Sequence, residues 1–446
     1  MSGKIGLPES VSMAIGGMVG GGIFAVLGVV AKAASYSSWI AFTLAGIIAM
    51  CAGYSFIRLN EITDGRHSPI TFIQTFTGSK KLGGMAGWTF IFGYVGTMAM
   101  YAFAFGGYFE ELIGVHTFHG MALRPVISLS VIVLFVGLNI LGAHASGRTE
   151  DFLVGAKILI LLIFGFGGLY YGLRNGMLHS GLSTLSVGPL IAAAISFVAF
   201  EGWELLMFDQ DSIKNPKETI KKAIFASIAV ATFIYVIVAI VTTNLVSSSV
   251  IAEHAETALA VAARPFLGQL GFILIAVAAI FSTGSAINAT LFSSARLSRK
   301  MVSKNLLPSK LRGDGDEPVK ALLVLGALTG GLTVLGSLNA ITSFASLAFI
   351  TIFGGISILA FRERDNTVNA VVPAVGALGS AATVVALLWH LWSTEFHVFI
   401  SVIGLALGVT TVEIFYFERE EIEEVEEEVE EEIEEVEEEI EEDLEE

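Results

Sequence analysis

Twelve stretches of about 20 apolar residues, the length that crosses the hydrocarbon core of a bilayer, follow one another along this 446-residue chain. They fall at 10–34, 38–58, 86–112, 124–143, 152–173, 187–208, 223–246, 268–295, 319–336, 340–361, 369–390 and 395–417. A spanning segment must satisfy its own backbone, because lipid offers no hydrogen-bond partners. The chain is therefore read as an all-α membrane protein of twelve transmembrane helices. Charged residues are 15% of the sequence and the mean hydropathy is +0.74, where a soluble domain carries about 25% charge. The first run is too long for the core of a signal peptide and lacks a small-residue exit, so no cleavage is expected. Cys51 stands alone, which excludes an intrachain disulfide.

The formal charge of −17 belongs to one end of the chain. From Glu418 onward there are 21 acids and one base, Arg419, so the apolar body is slightly basic. Cytoplasmic loops carry the excess of Lys and Arg. With the N-terminus inside, inner segments hold 19 of the body's 24 bases, among them Lys80, Lys81, Lys221, Lys222, Arg299 and Lys300. Outer segments hold Arg124, Arg174 and Arg264, with Lys32 at an outer helix end and Lys157 inside a span. Both termini are expected in the cytoplasm and the chain in the cell membrane. Thr63 to Gly84 reads as an inner loop or interfacial helix, and Ser247 to Leu267 as an outer loop with short helical character.

The centre of the first span reads GGMVGGGIF, Gly16 to Phe24. Five glycines in nine residues weaken a helix by roughly 1 kcal/mol each relative to Ala. A break at membrane depth is tolerated where it is buried in protein or lines a wet cavity, and an interrupted segment points to a transporter's substrate site. Close helix packing is the alternative, since Gly16, Gly17, Gly20 and Gly21 also form a small-xxx-small pattern.

The sixth span reads ISFVAFEGWELLMFDQD, Ile195 to Asp211, and places Glu201 and Glu204 around Gly202 and Trp203. An ionisable group at membrane depth costs at least ~2.5 kcal/mol, so it faces a cavity or a partner. For Glu204, hydrogen bonding to nearby backbone or hydroxyls is the plainer alternative. Spans one and six are five apart, and broken helices at matching positions are what two inverted five-helix halves predict. The expected divisions are a cytoplasmic N-terminus at 1–9, a first repeat at 10–173, a second at 187–361, two further helices at 369–417 and the tail at 418–446.

Three stretches resemble the amino acid–polyamine–organocation superfamily of permeases: VGGGIF at Val19–Phe24, FVAFEGWE with KNPKETIKKAI between Phe197 and Ile224, and SSARLSRKMVSKNLLP at Ser293–Pro308. The first has Gly21 where the family's signature carries Ser. The resemblance implies the leucine-transporter fold and a substrate pocket at mid-membrane, and it covers roughly residues 8–418. The backbone of Gly20, Gly21, Gly22 and Ile23 would meet an amino acid's carboxylate, as at a helix N-terminus. Carbonyls of Phe197, Val198 and Phe200, beside Glu201 and Gly202, would take its ammonium. The family often places an aromatic gate where this chain has Val198, so Phe197, Phe200 or Trp203 is expected to serve instead.

Lys157 lies about 10 Å along the fifth span at 1.5 Å per residue, with no acidic residue within a turn on its C-terminal side. A desolvated lysine exchanges its proton at moderate pH. The resemblance to proton-coupled members implies that its ammonium replaces a sodium ion between the first and eighth spans. The surrounding groups would be carbonyls near Gly17 and Gly20, hydroxyls of Ser282, Thr283 or Ser285, and Glu204 as a further acidic group. The alternatives are a lysine snorkelling to the inner interface or one paired with Glu150 or Asp151.

The tail from Ile422 places apolar residues at 422, 425, 429, 433, 436, 440 and 444, an 11-residue repeat that suits a straight or slightly right-handed helical bundle. Like charges at i,i+4 oppose an isolated helix, so the tail is disordered alone and helical in an oligomer, when screened or against a basic partner. The expected function is secondary active amino acid transport by alternating access, with protons as coupling ion. The competing readings are an amino acid or polyamine exchanger, which Glu201 would suit, and a non-transporting membrane sensor. No P-loop, metal cluster or nucleophile elbow is present, so an enzyme, a cofactor and a nucleic-acid partner are not expected. His116, His119 and His144 fall in loops or span ends, where a surface role is the default.

Overall fold

The computed structural model describes residues 5–63, 68–118, 120–142, 147–182, 186–208, 210–311, 318–364 and 369–417. The acidic tail and its repeat lie outside the described residues, as do His119 and His144. Among the described residues the chain is helical except for short turns and a two-stranded hairpin at Thr117–Phe118 and Met121–Ala122.

Helix α1 (Leu7–Ala34) runs through a 3-10 turn into α2 (Ser38–Ile62). Then come α3 (Pro69–Thr77), α4 (Lys80–Ile113), α5 (Leu123–Ile140), α6 (Gly147–Arg174) and α7 (Gly188–Ser196). The second part holds α8 (Leu205–Phe208), α9 (Pro216–Leu245), α10 (Ser248–Glu253), α11 (Ala258–Val302), α12 (Val319–Leu335), α13 (Leu338–Arg362), α14 (Val371–Thr394) and α15 (Phe396–Phe417). Among the described residues ten segments are long and apolar enough to cross a membrane by length and composition; the first is the 56-residue stretch of α1 and α2, and the 17-residue α12 falls short. The chain is a multi-pass membrane protein.

Local chemistry sets several of these ends. Glu9 reaches back to the Gly6 amide at 2.9 Å, a donor that the first turn of α1 leaves open, and Ser10 adds its hydroxyl to the Gly6 carbonyl at 2.7 Å. Ser79 and Ser337 cap α4 and α13 by accepting from the amides of Leu82 and Ala340. The expected inner loop at 63–84 contains α3. The expected outer loop at 247–267 is instead largely helix, because α11 begins at Ala258 and continues past Gly268. There the backbone turns to φ 63° and ψ −155°, a conformation nearly restricted to glycine, so α11 is two helical pieces joined by one residue.

α1 sits at the centre, packed on α7, α9 and α11, while α4 packs on α11 and α13. α14 and α15 stay at the periphery and expose large apolar side chains such as Trp389, Trp392 and Phe415, as suits lipid contact. At one end, Ile5 pairs with residues 212–214 through Ile5 N–H to Ser212 O at 2.9 Å and Lys214 N–H to Ile5 O at 2.8 Å. The approach to α1 is thereby tied to the chain that leaves α8.

Candidate functional site

The first expectation to be corrected concerns the glycine cluster. α1 is continuous from Leu7 to Ala34, with Gly16, Gly20, Gly21, Gly22 and Ile23 helical and buried and Gly17 helical and half-buried. The cluster makes room for neighbours instead. A Cβ at Gly17 would lie 2.9 Å from the Gly202 Cα, and one at Gly22 would lie 2.7 Å from the Ala199 Cα. At Gly20 it would meet the Ala286 side chain at 2.9 Å, and at Gly21 the ring of Tyr101 at 2.2 Å. The packing alternative therefore holds, and tertiary contact offsets the poor helix propensity. The amides of residues 20–23 lie inside a helical run, not at a free helix end.

The break expected in the sixth span is present. α7 ends at Ser196, Phe197–Phe200 form a 3-10 turn, and Glu201 is extended. Gly202 has φ +122°, which side-chain-bearing residues rarely adopt. The freed backbone groups find partners on other helices, as membrane depth requires. Ser346 of α13 donates to the Ile195 carbonyl at 2.8 Å and accepts from the Val198 amide at 3.1 Å. Tyr235 of α9 donates to the Ala199 carbonyl at 2.8 Å.

The two carboxylates are fully buried and each meets a tyrosine of α4. Tyr94 donates to Glu204 Oε1 at 3.1 Å, and the Gly202 amide donates to Glu204 Oε2 at 2.8 Å. This is the plainer alternative for Glu204, a carboxylate satisfied by neighbouring backbone and a hydroxyl. Tyr101 donates to Glu201 Oε2 at 3.4 Å while its ring covers Gly21, so one side chain links α1 to the broken segment. Around them, Phe200 packs edge-on against Tyr235 at 5.2 Å. Phe197 packs on Phe353 at 5.6 Å, and Trp203 lies between Phe56 at 5.1 Å and Phe353 at 5.0 Å. The Trp203 indole N–H is buried without a hydrogen-bond partner. Val198 is fully buried.

Lys157 is 5% exposed, and its Nζ donates to the Gly16 carbonyl at 3.4 Å. It does not snorkel to the interface; the side chains of Glu150 and Asp151 lie outside the described residues. Gly16, Gly17, Ser285 and Asn288 line a cavity of about 190 Å³ with it. Ser282 of α11 donates to the Val19 carbonyl at 3.1 Å, at the crossing of α1 and α11. Ser285 and Thr283 turn their hydroxyls to their own helix, on Ser282 O at 3.0 Å and Ala279 O at 2.7 Å. Glu204 shares its hydrogen bonds with Gly202 and Tyr94 rather than with Lys157.

The sequence reading missed Tyr94, Tyr101, Tyr235 and Ser346. A signal existed for the first two, which stand seven residues apart and so share one face of α4. No metal-binding group of His, Cys, Asp or Glu occurs among the described residues.

A sequence profile of the amino acid permease family matches residues 5–416. The chain is 32% identical to an uncharacterized protein of Methanocaldococcus jannaschii over 93% of this chain and 95% of that one. It is 30% identical to the inner membrane transport protein YbaT of Escherichia coli, over 90% and 94% of the two chains. It is 25% identical to the serine/threonine exchanger SteT of Bacillus subtilis, over 68% and 69%. The chain belongs to the amino acid permease family of the amino acid–polyamine–organocation superfamily.

Proposed function

We propose that this protein is a secondary active amino acid transporter that works by alternating access and couples uptake to protons through Lys157. The observation that carries this reading is the buried Lys157 ammonium against the Gly16 carbonyl, one turn from the Ser282–Val19 hydrogen bond. A cation is held there by the backbone of α1, where a coupling ion would act on the helix that borders the substrate segment. In its neutral form the amine no longer binds that carbonyl as a charge, and α1 is freed from α6.

Substrate binding on this reading opens α1 at Gly20–Gly22, where the helix is weakest, so that the amides of residues 20–23 meet the carboxylate. The carbonyls of Phe197, Val198 and Phe200 then take the ammonium, with Glu201 and Gly202 beside them. Phe200 and Trp203 serve as the gate. Thr283, Ser285 and Glu204 belong to the ion site only if they reorient. Counting α1 and α2 separately and including α12 gives twelve spans, as two inverted five-helix repeats (10–173 and 187–361) with helices at 369–417 added and both termini cytoplasmic. The tail at 418–446 would engage an oligomer or a basic partner.

Uptake of labelled amino acids into liposomes at two pH values tests the reading. Lys157→Ala is expected to remove the response to a proton gradient; an unchanged response sinks the coupling role. The exchanger reading draws on the name of the Bacillus subtilis relative. Counterflow that persists without a proton gradient while net uptake is absent would favour it.

A further inference from the structure

The basic end of α11 and the start of the acidic tail meet on one side chain. The Trp88 indole N–H donates to the Leu306 carbonyl at 2.9 Å, just past α11. The Trp88 ring packs 5.8 Å from that of Tyr416, at the end of α15. One turn earlier on α4, Gly84 leaves the space that the Phe417 ring fills. Lys304 donates to the Thr71 hydroxyl at 3.3 Å, which holds the same end of α11 to α3. The chain therefore enters its acidic run, 21 acids and one base from Glu418 onward, beside the first turn of α4 and the end of α11. Lys80 and Lys81 stand on the former, and Arg299, Lys300 and Lys304 on or just past the latter.

The lysines of α4 and the acids of the tail are each misplaced where they stand. A helix N-terminus is the positive end of the macrodipole, and Lys80 and Lys81 open α4. A helix C-terminus is the negative end, and the acids begin at the residue after Phe417, the last of α15. These two ends lie side by side, so each run of charge supplies what the other end lacks. Lys80, Arg299, Lys300 and Lys304 are exposed, and so is the apolar side chain of Leu82 in the first turn of α4.

We propose that the acidic tail of this same chain docks on the basic face made by Lys80, Lys81, Arg299, Lys300 and Lys304. Attachment at Phe417 places the first acids at the face, so their effective concentration there is far above that of any separate partner. As a helix the segment 418–446 reaches about 44 Å at 1.5 Å per residue, enough to pass from α4 to α11. Docking relieves the repulsion between its acids at i,i+4, and its apolar stripe finds Leu82. Lys300 also donates to the Phe208 carbonyl at 2.7 Å, so the docked tail rests against the inner end of the broken span. The proposal narrows the tail's partner to its own chain and stands apart from the transport reading.

Zero-length carbodiimide cross-linking of the full purified chain, read by mass spectrometry, tests this. Lysine–glutamate cross-links are expected between the tail and Lys80, Lys81, Lys300 or Lys304 at low salt. They should fall roughly tenfold or more near 1 M salt, where the screening length is about 3 Å. In a mixture of heavy-isotope and unlabelled chains, each cross-linked pair should carry a single isotope. Pairs of mixed isotope overturn the proposal and assign the face to a second copy. Cross-links lost when phosphatidylglycerol is added overturn it in favour of anionic lipid. Cross-links spread evenly over other inner lysines such as Lys214 and Lys217, or none at any salt, also overturn it.

Discussion

Several close helix contacts in this protein are made by residues that lack side chains. At Gly22 an added methyl group would meet the Ala199 Cα at 2.7 Å, and backbone cannot yield as a side-chain tip does. Gly22→Ala is therefore expected to lower the thermal midpoint in detergent by an amount that matches about 1–3 kcal/mol of overpacking, despite the better helix propensity of Ala. Gly355 of α13 has nothing within 4 Å of its added Cβ. Gly355→Ala should leave the midpoint level or raise it, and a fall equal to that of Gly22→Ala would contradict the steric account. At Glu204, Tyr94→Phe removes the tyrosine hydroxyl that donates to the carboxyl group. A loss of about 1–3 kcal/mol is expected from a buried bond to a carboxyl group, and thermal unfolding of the variant measures it; no change would mean that another donor takes over.

At the scale of elements, two helices depart from regularity, and a glycine at positive φ marks each. Gly268 divides α11 in a conformation that costs other residues about 1–3 kcal/mol. Gly268→Ala should lower the thermal midpoint accordingly without a clash, because nothing lies within 4 Å of the new methyl group. If the midpoint stays put, the bend is soft. The sequence revealed the break in the sixth span, because Glu201, Gly202 and Glu204 cannot sit in a regular lipid-facing helix without partners. It misled at α1, where five glycines look like a break and prove to be contact surface. The difference is not local. Gly17 and Gly21 differ from helix-breaking glycines only through Gly202 and Tyr101, which lie far along the chain. Ser346 and Tyr235 were illegible for the same reason, since a serine or tyrosine in an apolar run has no pattern that names its acceptor.

Across the whole molecule, charge gathers where the membrane is not. The Glu256 carboxyl, in the turn before α11, is held above the usual carboxylate range. Burial is the main cause and is opposed by Arg124; Glu110 adds to the rise and Lys32 opposes it. A raised value means that the fold favours the neutral acid. That stability is complete below the ordinary carboxylate range and is lost as pH rises through the folded value. Glu256→Gln, neutral at every pH, should match the wild type at pH 4 and melt at a higher temperature at pH 8. Thermal unfolding across that range checks it, and a variant that gains nothing at pH 8 would contradict the sign.

The meeting of Gly17 with Gly202 carries a consequence for how such a chain records its history. Where two helices touch through side chains, a change on one side can be answered by a change on the other, and the pair drifts together. Here both partners are backbone, and neither position has a smaller residue to retreat to. Paired substitutions across descendants would therefore be silent at one of the closest approaches between the first span and the sixth, and the two positions would register only as fixed points.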